Sequence, residues 1–250
     1  MKRTWTITLV VILFAAMTAC SGKSSTNSSP NSSTTSSSSN SGVTNSGSSY
    51  VMPKVADTPT PAATIDSNQN SWSPIFIVSS PDPKSIAVTG AGGELNFTLG
   101  AKDSYAYKFR TGYSKADVVI DALALNTGTV PLGIALTCRT ASDYSKWYEF
   151  RVSLAGQYNI YYYDNSLKDK GQNPYVLLKQ GSTDAMFPVK ANDIKATCQG
   201  SSLSLNINGQ DVTSVTDNKL TGEGTVGVGA TSSYNVPVAI NFQSLNITQP

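Results

Sequence analysis

From residue 94 onward the chain alternates apolar and polar residues with a period of two. That pattern puts successive side chains on opposite faces of an extended strand, each half buried. It reads as strands over ELNFTL (94–99), SYAYKFR (104–110), DVVIDALAL (117–125) and GIALTC (133–138). It continues over WYEFRVSL (147–154), QYNIYYYD (157–164), YVLLKQ (175–180) and NDIKATC (192–198). SLSLNI (202–207), TVGVGAT (225–231) and VAINFQSLNIT (238–248) complete the series. Ala155-Gly156, Asn208-Gly209 and Gly222-Glu223-Gly224 punctuate it as turns, and Asn208-Gly209 is suited to a type I′ hairpin. No window carries a helical stripe longer than a turn or two. Eleven or more short strands in one domain predict an all-β fold, a two-sheet antiparallel β-sandwich or jelly roll.

The same alternation assigns the core. Ile134, Leu136 and Cys138 share one face of their strand, and Ile194, Ala196 and Cys198 share one face of theirs. Both cysteines therefore point inward. They form either a buried bridge or two free buried thiols that pack as small hydrophobes. A bridge would close a loop of about 60 residues and contribute about 3–4 kcal/mol. The chain has three cysteines and no histidine, which excludes a four-ligand Cys/His zinc site in the domain and a histidine-based nucleophilic triad.

Residues ahead of the strands differ in kind. Lys2 and Arg3 precede an apolar run from Thr6 to Met17, as in an export signal and too short to span a bilayer. The run ends Met17-Thr18-Ala19-Cys20, which resembles the lipobox of bacterial lipoproteins with Met in place of the usual Leu. The resemblance implies a signal peptide over 1–19 and lipidation of Cys20. Residues 20–64 are dominated by Ser, Thr, Asn and Gly, with Pro53, Pro59 and Pro61 near the end. This composition cannot bury a core and predicts a disordered tether. The sandwich is expected over 65–250, held on the membrane by lipid and facing the extracellular or periplasmic side. The formal net charge is +2, and loss of Lys2 and Arg3 with the signal balances it. With no basic patch, nucleic acid is not an expected partner.

Three phrases together resemble a known family. They are Gly133-Ile134-Ala135-Leu136-Thr137-Cys138-Arg139, the hairpin from Trp147 to Ile160, and the segment from Lys195 to the Asn208-Gly209 turn. Gly222-Glu223-Gly224-Thr225-Val226-Gly227-Val228 follows. In this order they resemble the concanavalin A-like, or laminin-G-like, jelly rolls, and most closely the domains related to 3-keto-disaccharide hydrolases. The resemblance covers roughly 115–248. It implies a sandwich of about 12 to 14 strands with a concave face, which holds the sugar in relatives that act on glycans. The Glu-x-Asp-x-x-Glu signature of laminarinase-like glycosidases is missing. The domain's glutamates, Glu94, Glu149 and Glu223, are far apart in sequence, which argues against a carboxylate pair for hydrolysis.

Two candidate sites follow. Alternation puts Tyr148, Phe150 and Val152 on one face and Trp147, Glu149 and Arg151 on the other; likewise Tyr158, Ile160 and Tyr162 oppose Asn159, Tyr161 and Tyr163. With the first sets in the core, Trp147, Glu149, Arg151, Tyr161 and Tyr163 are expected to form an exposed aromatic and charged platform for a glycan. The alternative is ordinary cross-strand packing. No cofactor is expected, beyond a structural calcium for which Asp143, Asp164 and Asp217 in turns are candidates. An EF-hand at Asp66–Asn70 fails because Ser71 and Ile77 stand where Gly and Glu are needed. Expected function is binding of carbohydrate or another surface polymer without catalysis. The alternatives are a glycan hydrolase of the keto-disaccharide type and a structural domain of the cell envelope.

Overall fold

The computed structural model describes residues 71–91, 93–128 and 133–250. The signal peptide, Cys20, the tether and the Asp66–Asn70 stretch lie outside these residues.

Among the described residues fourteen strands run in chain order: β1 (Phe76–Ser79), β2 (Ile86–Ala91), β3 (Glu94–Leu99), β4 (Tyr105–Phe109), β5 (Val118–Asn126), β6 (Gly133–Thr140) and β7 (Lys146–Ser153). Then come β8 (Gln157–Asp164), β9 (Tyr175–Ser182), β10 (Asn192–Gln199), β11 (Ser202–Ile207), β12 (Gln210–Thr216), β13 (Thr225–Thr231) and β14 (Val238–Thr248). They form two seven-stranded sheets, ordered β1-β4-β13-β6-β7-β8-β9 and β12-β11-β10-β5-β14-β3-β2. All pairings within them are antiparallel. The predicted two-sheet antiparallel sandwich is the fold. Of the three strands outside the eleven stretches read from the alternation, β12 is the return strand of the Asn208-Gly209 hairpin, and β1 and β2 escape the sequence reading. They are short, bounded by Pro and Ser, and sit at sheet edges where one neighbour suffices, so little alternation is imposed on them.

Inward residues of both sheets make one continuous core. Ile120, Ala122, Ile194, Leu205 and Phe242 from the second sheet meet Leu136, Phe150, Ile160, Val228 and Tyr148 from the first. Cys138 on β6 is bridged to Cys198 on β10, with Cα atoms 6.7 Å apart, so the disulfide joins the two sheets through the core. The β11–β12 turn has the predicted geometry: Asn208 and Gly209 both adopt positive φ, 52° and 82°. Asn208 does a second job that its turn role does not announce. Its Nδ2 donates to the Ala185 carbonyl at 2.6 Å and to Asn192 Oδ1 at 2.9 Å, tying the 183–191 loop to the hairpin.

Candidate functional site

The outer face of the first sheet is set by register. Four rungs of side chains cross it. The first runs Tyr105, Thr231, Gly133, Ser153, Gln157 and Ser182. The second runs Tyr107, Gly229, Ala135, Arg151, Asn159 and Gln180. On the third, Phe109, Gly227, Thr137, Glu149, Tyr161 and Leu177 follow, and on the fourth Trp147, Tyr163 and Tyr175. The middle strands β13 and β6 thus carry only Gly, Ala and Thr here, between large side chains on β4 and on β7 and β8. The trough matters because a Cβ at Gly227 would lie 2.6 Å from Phe109 Cδ1, closer than real contacts allow. Only Gly lets the β4 rings lie down over β13.

The rings fill the trough. Tyr107, Phe109, Ala135, Trp147 and Tyr163 form a second buried cluster, flanked by Phe76, Tyr105, Tyr144 and Tyr175. Trp147 and Tyr163 stack with centroids 3.7 Å apart, and Phe109 stacks on Tyr144 at 4.5 Å. This corrects one expectation. Trp147, Glu149 and Tyr163 do share the outer face with Arg151 and Tyr161, but none of those three is exposed. Aromatics from β4 and β1, distant in sequence, close over them, which alternation within one hairpin cannot reveal.

Glu149 sits within this layer and is fully buried. Its Oε2 accepts from Tyr107 Oη at 2.9 Å and Trp147 Nε1 at 3.1 Å, and its Oε1 accepts from Arg151 Nε at 2.8 Å. Tyr107 uses its proton on Glu149, so in the 2.9 Å contact between Tyr175 Oη and Tyr107 Oη it is Tyr175 that donates. Arg151 Nη2 lies 2.6 Å from Glu149 Oε1, yet finds no aligned hydrogen-bond acceptor among the described residues. The guanidinium carbon is 4.9 Å from the Tyr105 ring centroid and 4.8 Å from those of Tyr161 and Tyr175. Burial works against this cation, and the Glu149 carboxylate outweighs it, holding Arg151 protonated well above its ordinary range. Burial also pushes Tyr107, Tyr161 and Tyr175 up, so these phenols stay neutral at ordinary pH.

Beyond Arg151 the rungs turn small and polar, and a cavity of about 310 Å³ opens. Tyr105, Arg151, Ser153, Gln157 and Asn159 line it from the sheet, and the Ser232–Asn235 loop from the rim. Tyr234 in that loop is 82% exposed, a flat ring standing free at the mouth. Arg151 is the one residue of the expected platform that reaches this cavity; Tyr161 is half-buried behind it against Tyr175. Asn159 and Gln157 were legible as outward-facing on their strand. Tyr234 carried one signal, a lone aromatic among Ser and Asn in a loop.

The three aspartates considered for calcium each serve a separate local purpose. Asp143 accepts from Ser145 N and Oγ, Asp164 from Ser166 and Tyr162, and Asp217 from Tyr148 and Lys219. No group of three acidic or cysteine side chains suited to a metal occurs among the described residues.

No protein-family model matches the chain, and no curated protein matches it in sequence. Solved structures do match in shape. Carbohydrate-binding module CBM66 from Bacillus subtilis superposes with a TM-score of 0.52 at 15% identity, over 72% of this chain and 96% of that one. A Bacillus licheniformis β-glucanase gives 0.52 at 11% identity, over 75% and 96%. A prokaryotic β-1,3-1,4-glucanase from a mouse hindgut metagenome gives 0.53 at 9% identity, over 76% and 98%. Two seven-stranded antiparallel sheets and these superpositions together establish the fold as that of the concanavalin A-like jelly-roll sandwiches.

Proposed function

We propose that the domain binds carbohydrate in the cavity at the polar end of the first sheet's outer face, without turnover. The observation that carries this reading is the cavity itself. It combines a polar floor, Arg151, Ser153, Gln157 and Asn159, with an exposed aromatic ring, Tyr234, at its mouth. Sugars need both: side-chain donors and acceptors to fix the hydroxyls, and a flat apolar face for the C–H side of the ring. The structural neighbours add weight, since one is a carbohydrate-binding module and two are glucanases. Hydrolysis by the usual route asks for two carboxylates about 5–9.5 Å apart around the scissile bond. Among the described residues lining the cavity there is no carboxylate, and Glu149 beneath it is closed in by three donors. Binding is therefore the better supported activity.

Asn159→Ala and Tyr234→Ala test the reading in affinity electrophoresis against a panel of polysaccharides. Each variant is expected to lose retention at least tenfold with an unchanged melting temperature. Retention equal to wild type in both variants contradicts the assignment, and retention on no polysaccharide favours a structural role in the envelope. The same reading places the domain at the end of a Ser/Thr-rich tether lipidated at Cys20. Acyl labelling of Cys20, or accumulation of precursor under globomycin, checks that anchor.

A further inference from the structure

We propose that Arg151 reads an acidic group on the glycan, a carboxylate or a sulfate ester, at the floor of this cavity. The proposal rests on carbohydrate binding there and specifies its chemical class. Arg151 is the only charged side chain among the described residues that line the cavity. Its Nε and Nη2 both lie against Glu149 Oε1, at 2.8 and 2.6 Å, so the cation is held from behind while its side chain keeps 14% exposure where it lines the cavity. A guanidinium offers donors only, so its best complement is a group that offers acceptors only, and charge-assisted pairs of this kind are the strong ones.

The surroundings suit an anion. No Asp or Glu lines the cavity among the described residues, and the amides of Gln157 and Asn159 and the hydroxyl of Ser153 offer further donors. Tyr161 and Tyr175 beside the guanidinium have raised pKa values and bring no negative charge. Glu149 stands behind Arg151 with both oxygens already accepting, Oε1 from Arg151 and Oε2 from Tyr107 and Trp147. Three tyrosine rings at 4.8–4.9 Å fix the guanidinium before any ligand arrives. Glu149 and the rings are thus positioning residues, and Arg151 is the reader.

The test uses the full chain in affinity electrophoresis with four polymers: polygalacturonate, its methyl ester, carrageenan and a neutral mixed-linkage β-glucan. The expected result is retention on polygalacturonate or carrageenan at least tenfold above the neutral glucan. Loss of retention on methyl-esterification identifies a carboxylate; retention on carrageenan alone identifies a sulfate. Arg151→Lys keeps the cation and loses the planar fork, and should weaken acidic-polymer binding at least tenfold, read on variant protein that circular dichroism shows to be folded. The ligand-side comparison stands even where a variant folds poorly. Equal retention on the ester or the neutral glucan overturns the acidic reading and leaves carbohydrate binding in place. Retention on none of the four overturns both, and undiminished binding by Arg151→Lys removes Arg151 as the reader.

Discussion

Trp147 and Tyr163 face each other across β7 and β8 with ring centroids 3.7 Å apart, and neither reaches solvent. They lie on the outer face of a sheet, where alternation alone would leave them wet. Phe76 edges onto Trp147 at 6.2 Å, and Tyr107 and Phe109 tilt against it at 5.4 and 5.6 Å. The pair is therefore part of a second core. Trp147→Ala is expected to cost about 3–5 kcal/mol, as for other fully buried aromatics. Urea unfolding measures it, and a loss below about 1 kcal/mol contradicts the burial. Binding defects in this variant report unfolding, so Trp147 is a poor probe of any ligand.

The glycine trough makes the second core possible. Gly227→Ala puts a methyl 2.6 Å from Phe109 Cδ1 and 2.7 Å from Thr137 Oγ1. Overpacking of this kind costs about 1–3 kcal/mol. Gly222→Ala meets nothing within 4 Å and should stay within about 0.5 kcal/mol of wild type. Parallel thermal melts of the two variants check the contrast; equal stability would falsify the trough's role.

The Cys138–Cys198 bridge closes a loop of 60 residues between the sheets. Its removal by Cys138→Ser with Cys198→Ser is expected to cost about 4 kcal/mol by loop entropy, less any relief of native strain. Mass spectrometry after alkylation of denatured, unreduced protein should find both cysteines unlabelled. Labelling of either under those conditions argues against the bridge.

Asp193 gives a pH signature. Burial pushes its pKa up to about 6, with the hydrogen bond and charge of Asp121 adding to the effect. A raised carboxyl is stabilising while protonated, so its contribution is full below the ordinary value near 4 and is lost as pH rises through about 6. Asp164 and Asp217 act in the opposite sense. Burial raises them, but hydrogen bonds from Ser166 and from Lys219 more than reverse it, so their contribution is lost as pH falls below the ordinary range. The comparison that isolates Asp193 is Asp193→Asn against wild type between pH 4 and 7. Wild type should lose melting temperature relative to the variant across that window; parallel curves would rule the assignment out.

Much of the sandwich was legible because its signals are local. Period two over QYNIYYYD and NDIKATC named the core face of each strand, and the core-facing Tyr148, Phe150, Val152, Ile160 and Cys198 are buried where alternation puts them. Asn208-Gly209 specified its turn, since positive φ at two successive residues is a property of the residues themselves. The edge strands β1 and β2 were not legible, because short strands with one neighbour and Pro nearby carry little pattern.

By itself, then, the sequence determined which residues alternate, which faces they share and where the chain turns. That placed Trp147, Glu149, Arg151, Tyr161 and Tyr163 on one face. Only the tertiary structure decided what that face is. Whether an outward side chain is wet depends on which strands become neighbours, and β4, β13 and β6 are far apart in the chain but adjacent in the sheet. Glycines on β13 let the β4 aromatics fold down over Trp147 and Glu149, drying one half of the face. The other half, where the side chains around Arg151 are small or polar, stays open as the cavity.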